Sequence, residues 1–247
     1  MTAHIEVRAT SRAEEAGLLA LLDLSQVIDD WERYRVIGGH MVGIHLALAD
    51  LPDLRGTKEA DLAAPTNVLG DPTAAPSRLV HSRGYDKVDG SRIARASESG
   101  DVAIDLIGPS DKSGARHNRS VGMFSVDEFP AIRFCLRRPP LMVMTRTLST
   151  EGAHMGEGLI AVPDVAAAIV LKACAGRPSD RADTWLLVEA AAAQQASLTE
   201  ADCENIDAHR AAQLLHHRWA VEHSQRRRLA LHRVVWRPPA PVAFRDP

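Results

Sequence analysis

The sequence predicts an α/β (α+β) fold, with a mixed sheet in its first 160 residues and a helix-rich C-terminal half. Short apolar runs bounded by Gly, Pro and polar residues fill 34–148 and are typical of strands. From Val162 onward, longer apolar stretches with helical spacing replace them. A length of 247 residues allows one large domain or two unequal ones. The change of pattern favours two, a domain over 1–160 and a helical domain over 161–247.

The first predicted helix covers residues 12–33, where leucines recur at helical spacing after the candidate N-cap Ser11. The next stretch, "YRVIGG", predicts a short buried strand that ends in a turn at Gly38 and Gly39. "HMVGIHLALA" predicts a second helix, which Pro52 closes. "TKEADLA" is bounded by turn residues and predicts a second strand.

The middle of the chain combines loops with a hairpin. Residues 63–76 hold three Pro and one Gly and predict a loop, and the polar stretch "SDKSGARHNRS" predicts a mobile one. "SRIARAS" and "DVAIDLIGP" predict two strands joined by "ESG", and "PPLMVMTRT" predicts a further strand. "PDVAAAIVLKACAG" predicts a helix with Pro in its first turn, and Ser197–Glu200 matches a capping box that opens another helix.

Composition argues against several classes of protein. No apolar run reaches the roughly 18 residues of a membrane span, and the first residues lack the apolar core of a signal peptide. We therefore expect a cytoplasmic protein without membrane contact. Cys135, Cys174 and Cys203 are far apart and form no C-x-x-C pair, which argues against a disulfide framework and a zinc ribbon. We expect them to be small buried hydrophobic residues.

Charge is distributed unevenly along the chain. The formal net charge is −3, but residues 209–237 contain seven Arg and one Glu, so the rest of the chain carries −9. This basic stretch, with Arg226–Arg228 at its centre, predicts either a solvated helix face or a surface for an anionic partner. The histidines of the same region show no H-E-x-x-H spacing, and no G-x-S-x-G motif supports serine hydrolysis. Trp185 and Trp219 are expected in the core.

Three acidic residues are candidates for metal binding. Glu59 and Asp61 share one face of the predicted strand "TKEADLA", where alternate residues are roughly 6 to 7 Å apart, so both can reach one cation. Asp105 lies mid-strand in "VAIDLI", where an unpaired charge is costly to bury. Three carboxylates on neighbouring strands form the oxygen-rich site that Mg²⁺ prefers. The alternative is that Glu59 and Asp61 are exposed charges paired with Arg55 or Lys58.

The glycine turn extends this pattern. Gly38 and Gly39 lead into a helix, whose first N–H groups can hold phosphate. After the turn come Arg55-x-Thr57-x-Glu59-x-Asp61 and then Asp105 on a later strand. This ordered set resembles the nucleotidyltransferase-like superfamily of DNA polymerase β. It is most similar to the AbiEii-type proteins, many of which are toxins of bacterial toxin–antitoxin pairs. A later stretch, "AAAIVLKACAGRPSDRADTWLLVEA", is similar to the second part of the family pattern, and it carries Lys172, Arg177, Asp180 and Asp183 at the spacing K-x4-R-x2-D-x2-D.

The resemblance implies a mixed-sheet nucleotidyltransferase core and a Mg²⁺-dependent enzyme that moves a nucleotide from an NTP, such as ATP, onto a hydroxyl acceptor. An RNA (tRNA) end is the expected acceptor, and an antitoxin protein is an expected partner. Glu59 and Asp61 would bind one or two Mg²⁺ ions. Asp105 would be either the third metal ligand or the acid that draws the proton from the attacking hydroxyl. The residues implied in nucleotide binding are Gly38, Gly39, His40, Thr57, Lys172 and Asp183. Lys172 is also implied as a catalytic residue, because it would compensate phosphate charge.

The sequence departs from the family pattern at two of these positions. Glu59 stands where the family has Asp, and His40 stands where the wider superfamily has a small hydroxyl residue. We therefore carry a second hypothesis, a catalytically inactive nucleotidyltransferase-fold protein that binds nucleotide or a protein partner. In both hypotheses the basic stretch 209–237 would bind RNA first and an acidic antitoxin second.

Overall fold

Strands and helices of the chain build two separate sheets that share one helix-covered core. The computed structural model describes residues 2–52, 56–110, 115–175, 177–194 and 196. The described strands are β1 (Ala3–Arg8), β2 (Arg35–Ile37), β3 (Glu59–Ala63), β4 (Asp86–Lys87), β5 (Arg92–Ser97), β6 (Gly100–Pro109), β7 (Arg116–Val121), β8 (Phe124–Phe129), β9 (Leu141–Leu148) and β10 (His154–Val162). The described α-helices are α1 (Arg12–Val27), α2 (Gly38–Leu48), α3 (Thr66–Leu69), α4 (Ala75–Arg83), α5 (Pro130–Arg137), α6 (Val165–Ala175) and α7 (Pro178–Ala193).

The larger sheet has the strand order β2-β3-β6-β5-β4, and the hairpin of β7 and β8 joins it through β8 at the end of β6. β3 and β6 pair in parallel, whereas β2 with β3 and β5 with β6 pair antiparallel. The smaller sheet has the order β1-β9-β10 and is also mixed. These pairings confirm the predicted α+β class with a mixed sheet, and they place β3 and β6 side by side in the middle of the larger sheet.

Helix α1 lies between the two sheets. It contacts β3 and β6 of the larger sheet and β10 of the smaller one, and Leu21 and Leu24 are buried. Ser11 caps it as predicted, because its hydroxyl accepts a hydrogen bond from the N–H of Glu14. The helix ends at Val27, earlier than predicted, since Asp30 caps a separate 3₁₀ turn over Trp31–Arg33.

A single hydrophobic cluster joins α1, the larger sheet and the two C-terminal helices. Trp185 of α7 is 4% exposed and belongs to this cluster, which confirms its predicted place in the core. α7 packs on α2, and α6 packs on α5 and α7. α6 and α7 therefore pack beside α2, the helix that begins at the glycine turn.

Two loop predictions are wrong. Within residues 63–76, Thr66–Leu69 is helical and α4 begins at Ala75, because Pro76 is in the first turn of α4, where its missing N–H costs no hydrogen bond. Within the polar stretch after β6, Arg116–Val121 forms β7, since it pairs with β8. The predicted strands that became β2, β3, β5, β6 and β9 are confirmed, and so are α2 and α6.

Several predictions fall on other parts of the chain. The capping box Ser197–Glu200, the basic stretch 209–237, Cys203 and Trp219 lie outside the described residues, so the division at residue 160 stays a prediction. Cys135 is buried, as predicted, and Cys174 is partly buried. Within the described ranges, the helices are too short or too polar to span a lipid bilayer.

Candidate functional site

Glu59, Asp61 and Asp105 lie on one face of the larger sheet, which we call the acid face. β3 and β6 run in parallel with Asp61 directly opposite Asp105, so their side chains leave the sheet on the same side. Along β3, Ala60 and Leu62 are fully buried whereas Glu59 and Asp61 are partly exposed. The predicted grouping of the three carboxylates is therefore present, at the centre of the sheet.

A fourth residue of the acid face, Arg92, was not among the predicted site residues. It lies opposite Asp105 in the β5–β6 hairpin and donates two hydrogen bonds to that carboxylate, from Nε to Oδ1 and from Nη2 to Oδ2, both 2.8 Å long. Its Nη2 is also 3.9 Å from Glu59 Oε1. The predicted three-residue turn "ESG" would have placed Arg92 opposite Leu106. In the structure Gly100 belongs to β6 and pairs with Ser97, so the register shifts by one residue and Arg92 lies opposite Asp105.

Asp61 is the least compensated member of the acid face. Burial and the negative charge of Asp105 raise the pKa of Asp61 to about 7, and the charges of Lys172 and Arg177 only partly oppose this rise. Within the described part of the chain, no hydrogen bond or salt bridge reaches its carboxylate. A cation placed here would relieve the repulsion between the two aspartates.

The glycine turn is fitted against two of the predicted site residues. Gly38 has a φ of +69°, and a Cβ at this position would collide with the carboxylate of Asp61. A Cβ on Gly39 would likewise collide with the Thr57 hydroxyl. Only glycine permits this close approach. The turn, Thr57 and Asp61 therefore meet as predicted, at the N-terminus of α2, which has no side-chain cap.

His40 occupies the next position of α2 but points toward α1. Its side chain is buried, and Nε2 lies 3.0 Å from the place that a Cβ on Gly17 would take. Burial lowers the pKa of His40 to about 4, and the backbone of Gly17 offsets this only in part. The imidazole is therefore neutral at pH 7. If His40 binds phosphate, its backbone N–H in the first turn of the helix is the suitable group.

Lys172 belongs to a second group of charges, the α6–α7 network, which we define as Lys172, Arg177, Asp180 and Asp183. Its ammonium lies 3.1 Å from Asp180 Oδ1 and 2.9 Å from Asp183 Oδ2, and its side chain is only 7% exposed. Arg177 donates to Asp180 from Nε at 2.7 Å. Asp183 has no exposed side-chain surface and is paired with Lys172, so its carboxylate is not available to a ligand in this arrangement.

The α6–α7 network lies beside the acid face. Lys172 and Arg177 both lower the pKa of Asp61 through their charge, which requires that they lie near its carboxylate. Burial raises the pKa of Asp180, but hydrogen bonds from Arg177 and the charge of Lys172 outweigh burial and leave this pKa below its ordinary value. The Lys172 side chain thus contributes its field to the acid face, while its contacts are with the two aspartates of α7.

A cavity of about 550 Å³ opens next to the glycine turn, between β1, α1 and α2. Gly39, His40 and Thr57 line the cavity where it meets the glycine turn. Leu18 and Ile44 form part of its apolar lining. Its volume is within the range of small-molecule pockets in proteins. A ligand with phosphates at the turn could therefore place a larger group in this space.

The described side chains do not form a ready-made site of three metal ligands. Both oxygens of Asp105 accept a hydrogen bond from Arg92. Glu59 and Asp61 still fit a divalent cation, since they share one face of β3 and Asp61 lacks a compensating partner there. The chain matches no protein-family model and no curated protein sequence. Function is therefore argued from the geometry of this site together with the motif that it contains.

Proposed function

We propose that the chain is a Mg²⁺-dependent nucleotidyltransferase that moves a nucleotide from an NTP onto a hydroxyl acceptor. An RNA (tRNA) end is the acceptor that we consider first, and the biological role is that of the toxin in a toxin–antitoxin pair. The observation that carries the proposal is the side-by-side placement of Asp61 and Asp105, with the glycine turn packed directly against Asp61. The glycine turn would bind the phosphates of the NTP, and the acid face would bind the Mg²⁺ ion.

Phosphate binding is assigned to the turn and the first turn of α2. Gly38 and Gly39 begin an eleven-residue helix whose N-terminus carries partial positive charge and unpaired N–H groups. The Thr57 hydroxyl lies against Gly39 and adds a possible donor. Together these groups favour a triphosphate over an uncharged ligand.

The acid face is assigned to metal binding. Glu59 and Asp61 would hold Mg²⁺, which when bound neutralises phosphate charge and stabilises the departing pyrophosphate. In the transfer itself the acceptor hydroxyl would give its proton to Asp105 and its oxygen would bond to the α-phosphorus. The bond between the α-phosphorus and the oxygen that bridges to the β-phosphorus would break, so that pyrophosphate leaves. Asp105 is oriented by Arg92, and it is the acid closest to Asp61. Holding these groups in place accounts for most of the catalysis expected of such a site.

A transfer assay tests this proposal. The full chain is incubated with each of the four α-labelled NTPs, Mg²⁺ and total RNA, and label joined to RNA is measured. We expect transfer by the wild type and its loss in Asp61→Ala, because the substitution removes a metal ligand that the surrounding strand does not need. Asp101→Ala is the matched control, since Asp101 is an exposed acid four residues earlier on the same strand, β6, as Asp105. Transfer by Asp61→Ala at the wild-type rate would disprove the role of the acid face.

Two observations favour the second candidate, a catalytically inactive protein of this fold that binds nucleotide or a protein partner. Arg92 holds both oxygens of Asp105, and Glu59 replaces the aspartate of the family pattern. This candidate predicts NTP binding in equilibrium dialysis without transfer to RNA under any of the four NTPs. The Gly39→Val substitution fills the space beside Thr57. If this variant no longer binds NTP, the nucleotide lies at the glycine turn.

A further inference from the structure

We propose that the Arg92 guanidinium takes the place of a second divalent ion on the acid face, so that this site holds one ion and not two. The inference rests on the proposed function, because it concerns the metal content of the same site. It assigns Arg92 a positioning role: the side chain fixes Asp105 and supplies positive charge, without contact to the reacting atoms.

The first argument is the geometry of the pair. Both oxygens of Asp105 accept from one guanidinium, side-on, in the bidentate arrangement that is the strongest common arginine–carboxylate contact. A divalent ion bound to Asp105 would have to share both oxygens with the guanidinium, whose positive charge repels the ion. The same guanidinium lies 3.9 Å from Glu59, so it already bridges two of the three carboxylates, as a second ion would.

The second argument is the hairpin that holds Arg92 in place. β5 and β6 pair continuously from Ser97 and Gly100 to Arg92 and Asp105, so the two side chains are neighbours on the same face of the sheet. The strand pairing alone brings Arg92 and Asp105 together, without any contribution from a loop. Arg92 is 40% exposed and Asp105 21% exposed, so the pair lies at the surface of the acid face.

The third argument is the balance of charge. With Asp61 ionised, three carboxylates and one guanidinium leave two negative charges on the acid face, which is the charge that a single divalent ion neutralises. Lys172 and Arg177 do not alter this balance much, because Lys172 is paired with Asp180 and Asp183, and Arg177 with Asp180. Glu59 and Asp61 are then the ligands of the one ion, and Arg92 holds Asp105 in position.

Counting bound Mn²⁺ tests the inference without an activity assay. The full chain, free of nucleotide, is titrated with Mn²⁺, and free Mn²⁺ is measured by its electron paramagnetic resonance signal. We expect one ion per wild-type chain at millimolar Mn²⁺ and a second ion in Arg92→Gln, which frees Asp105. Arg92→Lys keeps the charge and is expected to stay at one ion.

The control variant is Arg95→Gln. Arg95 lies on the same strand, β5, and also forms a two-nitrogen contact with a carboxylate, but its partner is Asp23 of α1. We expect Arg95→Gln to bind one ion. Two ions in this variant would mean that loss of any arginine from β5 loosens the sheet, and the inference would fail.

Asp105→Asn gives a second, independent measurement should Arg92→Gln fail to fold. If Asp105 is not a metal ligand, this variant keeps one ion with affinity reduced by less than about tenfold, the size expected for the loss of a neighbouring charge. Complete loss of the ion would overturn the inference, and so would two ions in the wild type or one ion in Arg92→Gln. No Mn²⁺ binding by any variant would instead remove the metal from the proposed function itself.

Discussion

The acid face and the α6–α7 network contain similar residues, and they differ in balance and exposure. The acid face has three carboxylates against one arginine, and Glu59 and Arg92 are each about 40% exposed. The network has two carboxylates against two cations, and the side chains of Lys172, Asp180 and Asp183 are at most 7% exposed. One cluster therefore retains negative charge at a surface, whereas the other is neutral and closed.

The difference shows what each cluster can do. A charge that is left without a partner near a surface is free to act on a ligand, and such groups concentrate at functional sites. A buried pair that is fully matched is costly to break and changes little with its surroundings. Lys172 was predicted as a catalytic residue from the motif, but its contacts are those of a residue that joins α6 to α7 and acts on Asp61 only through its field.

The largest expected effect on stability comes from breaking the network at Lys172. Lys172→Met leaves the carboxylates of Asp180 and Asp183 buried without their ammonium, and we expect the free energy of unfolding to fall by about 3–5 kcal/mol. Chemical denaturation measures this. Arg177→Met is the control: the Arg177 side chain is 72% exposed, and we expect a loss of roughly 1 kcal/mol or less. Equal losses would mean that burial does not distinguish the two cations.

The Lys172→Met variant also tests whether Lys172 takes part in nucleotide binding. If Lys172 also supports nucleotide binding, Lys172→Met should weaken NTP binding when measured well below its unfolding temperature. Unchanged NTP binding in a folded Lys172→Met protein would restrict Lys172 to the structural role that its contacts indicate.

The two clusters should respond to pH with opposite sign. The pKa of Asp61 is raised from 3.8 to about 7 in the folded protein, so its contribution to stability is complete below pH 3.8 and is lost as pH rises through about 7. The pKa of Asp180 is lowered, so its contribution is complete above pH 3.8 and is lost at more acid pH.

Thermal unfolding of metal-free protein between pH 5 and pH 9 checks the first of these signs, a range of about two units on either side of the Asp61 pKa. We expect Asp61→Asn to be stabilised relative to the wild type over this range, with a difference that grows from pH 5 to about pH 7 and stays constant above it. Identical pH profiles for the two proteins would show that Asp61 does not titrate in this range, and the contrast with Asp180 would be lost.

The smallest expected effect is that of Glu59→Asp. Shortening the side chain by one methylene restores the residue of the family pattern, and we expect Mg²⁺ affinity to rise a few-fold, with activity unchanged or higher. Glu157→Asp is the control, because Glu157 is an exposed strand glutamate on β10 of the other sheet. A fall in Mg²⁺ affinity would mean that the reach of the longer side chain is required.

The acid face was largely predictable from the sequence, and the network was not. Alternation along "TKEADLA" placed Glu59 and Asp61 on one face, and the glycine turn was marked by its two residues. Arg92 was missed because the predicted turn is one residue too long, and that register puts Leu106 opposite Arg92 in place of Asp105. The salt bridge between Lys172 and Asp183 depends on how α6 packs against α7. The spacing of the two residues along the chain does not give the distance between their side chains.

The contact between Gly38 and Asp61 also affects how the site opens. The two residues are far apart in sequence, but the backbone of Gly38 packs directly on the carboxylate of Asp61. When the turn is in place, the strand that carries Asp61 is held in register, and when β3 detaches, the turn loses its support. Local unfolding should therefore release both at once, as one cooperative unit. The glycine turn and the acid face, to which we assign phosphate and metal binding as a proposal, would then form and unfold together.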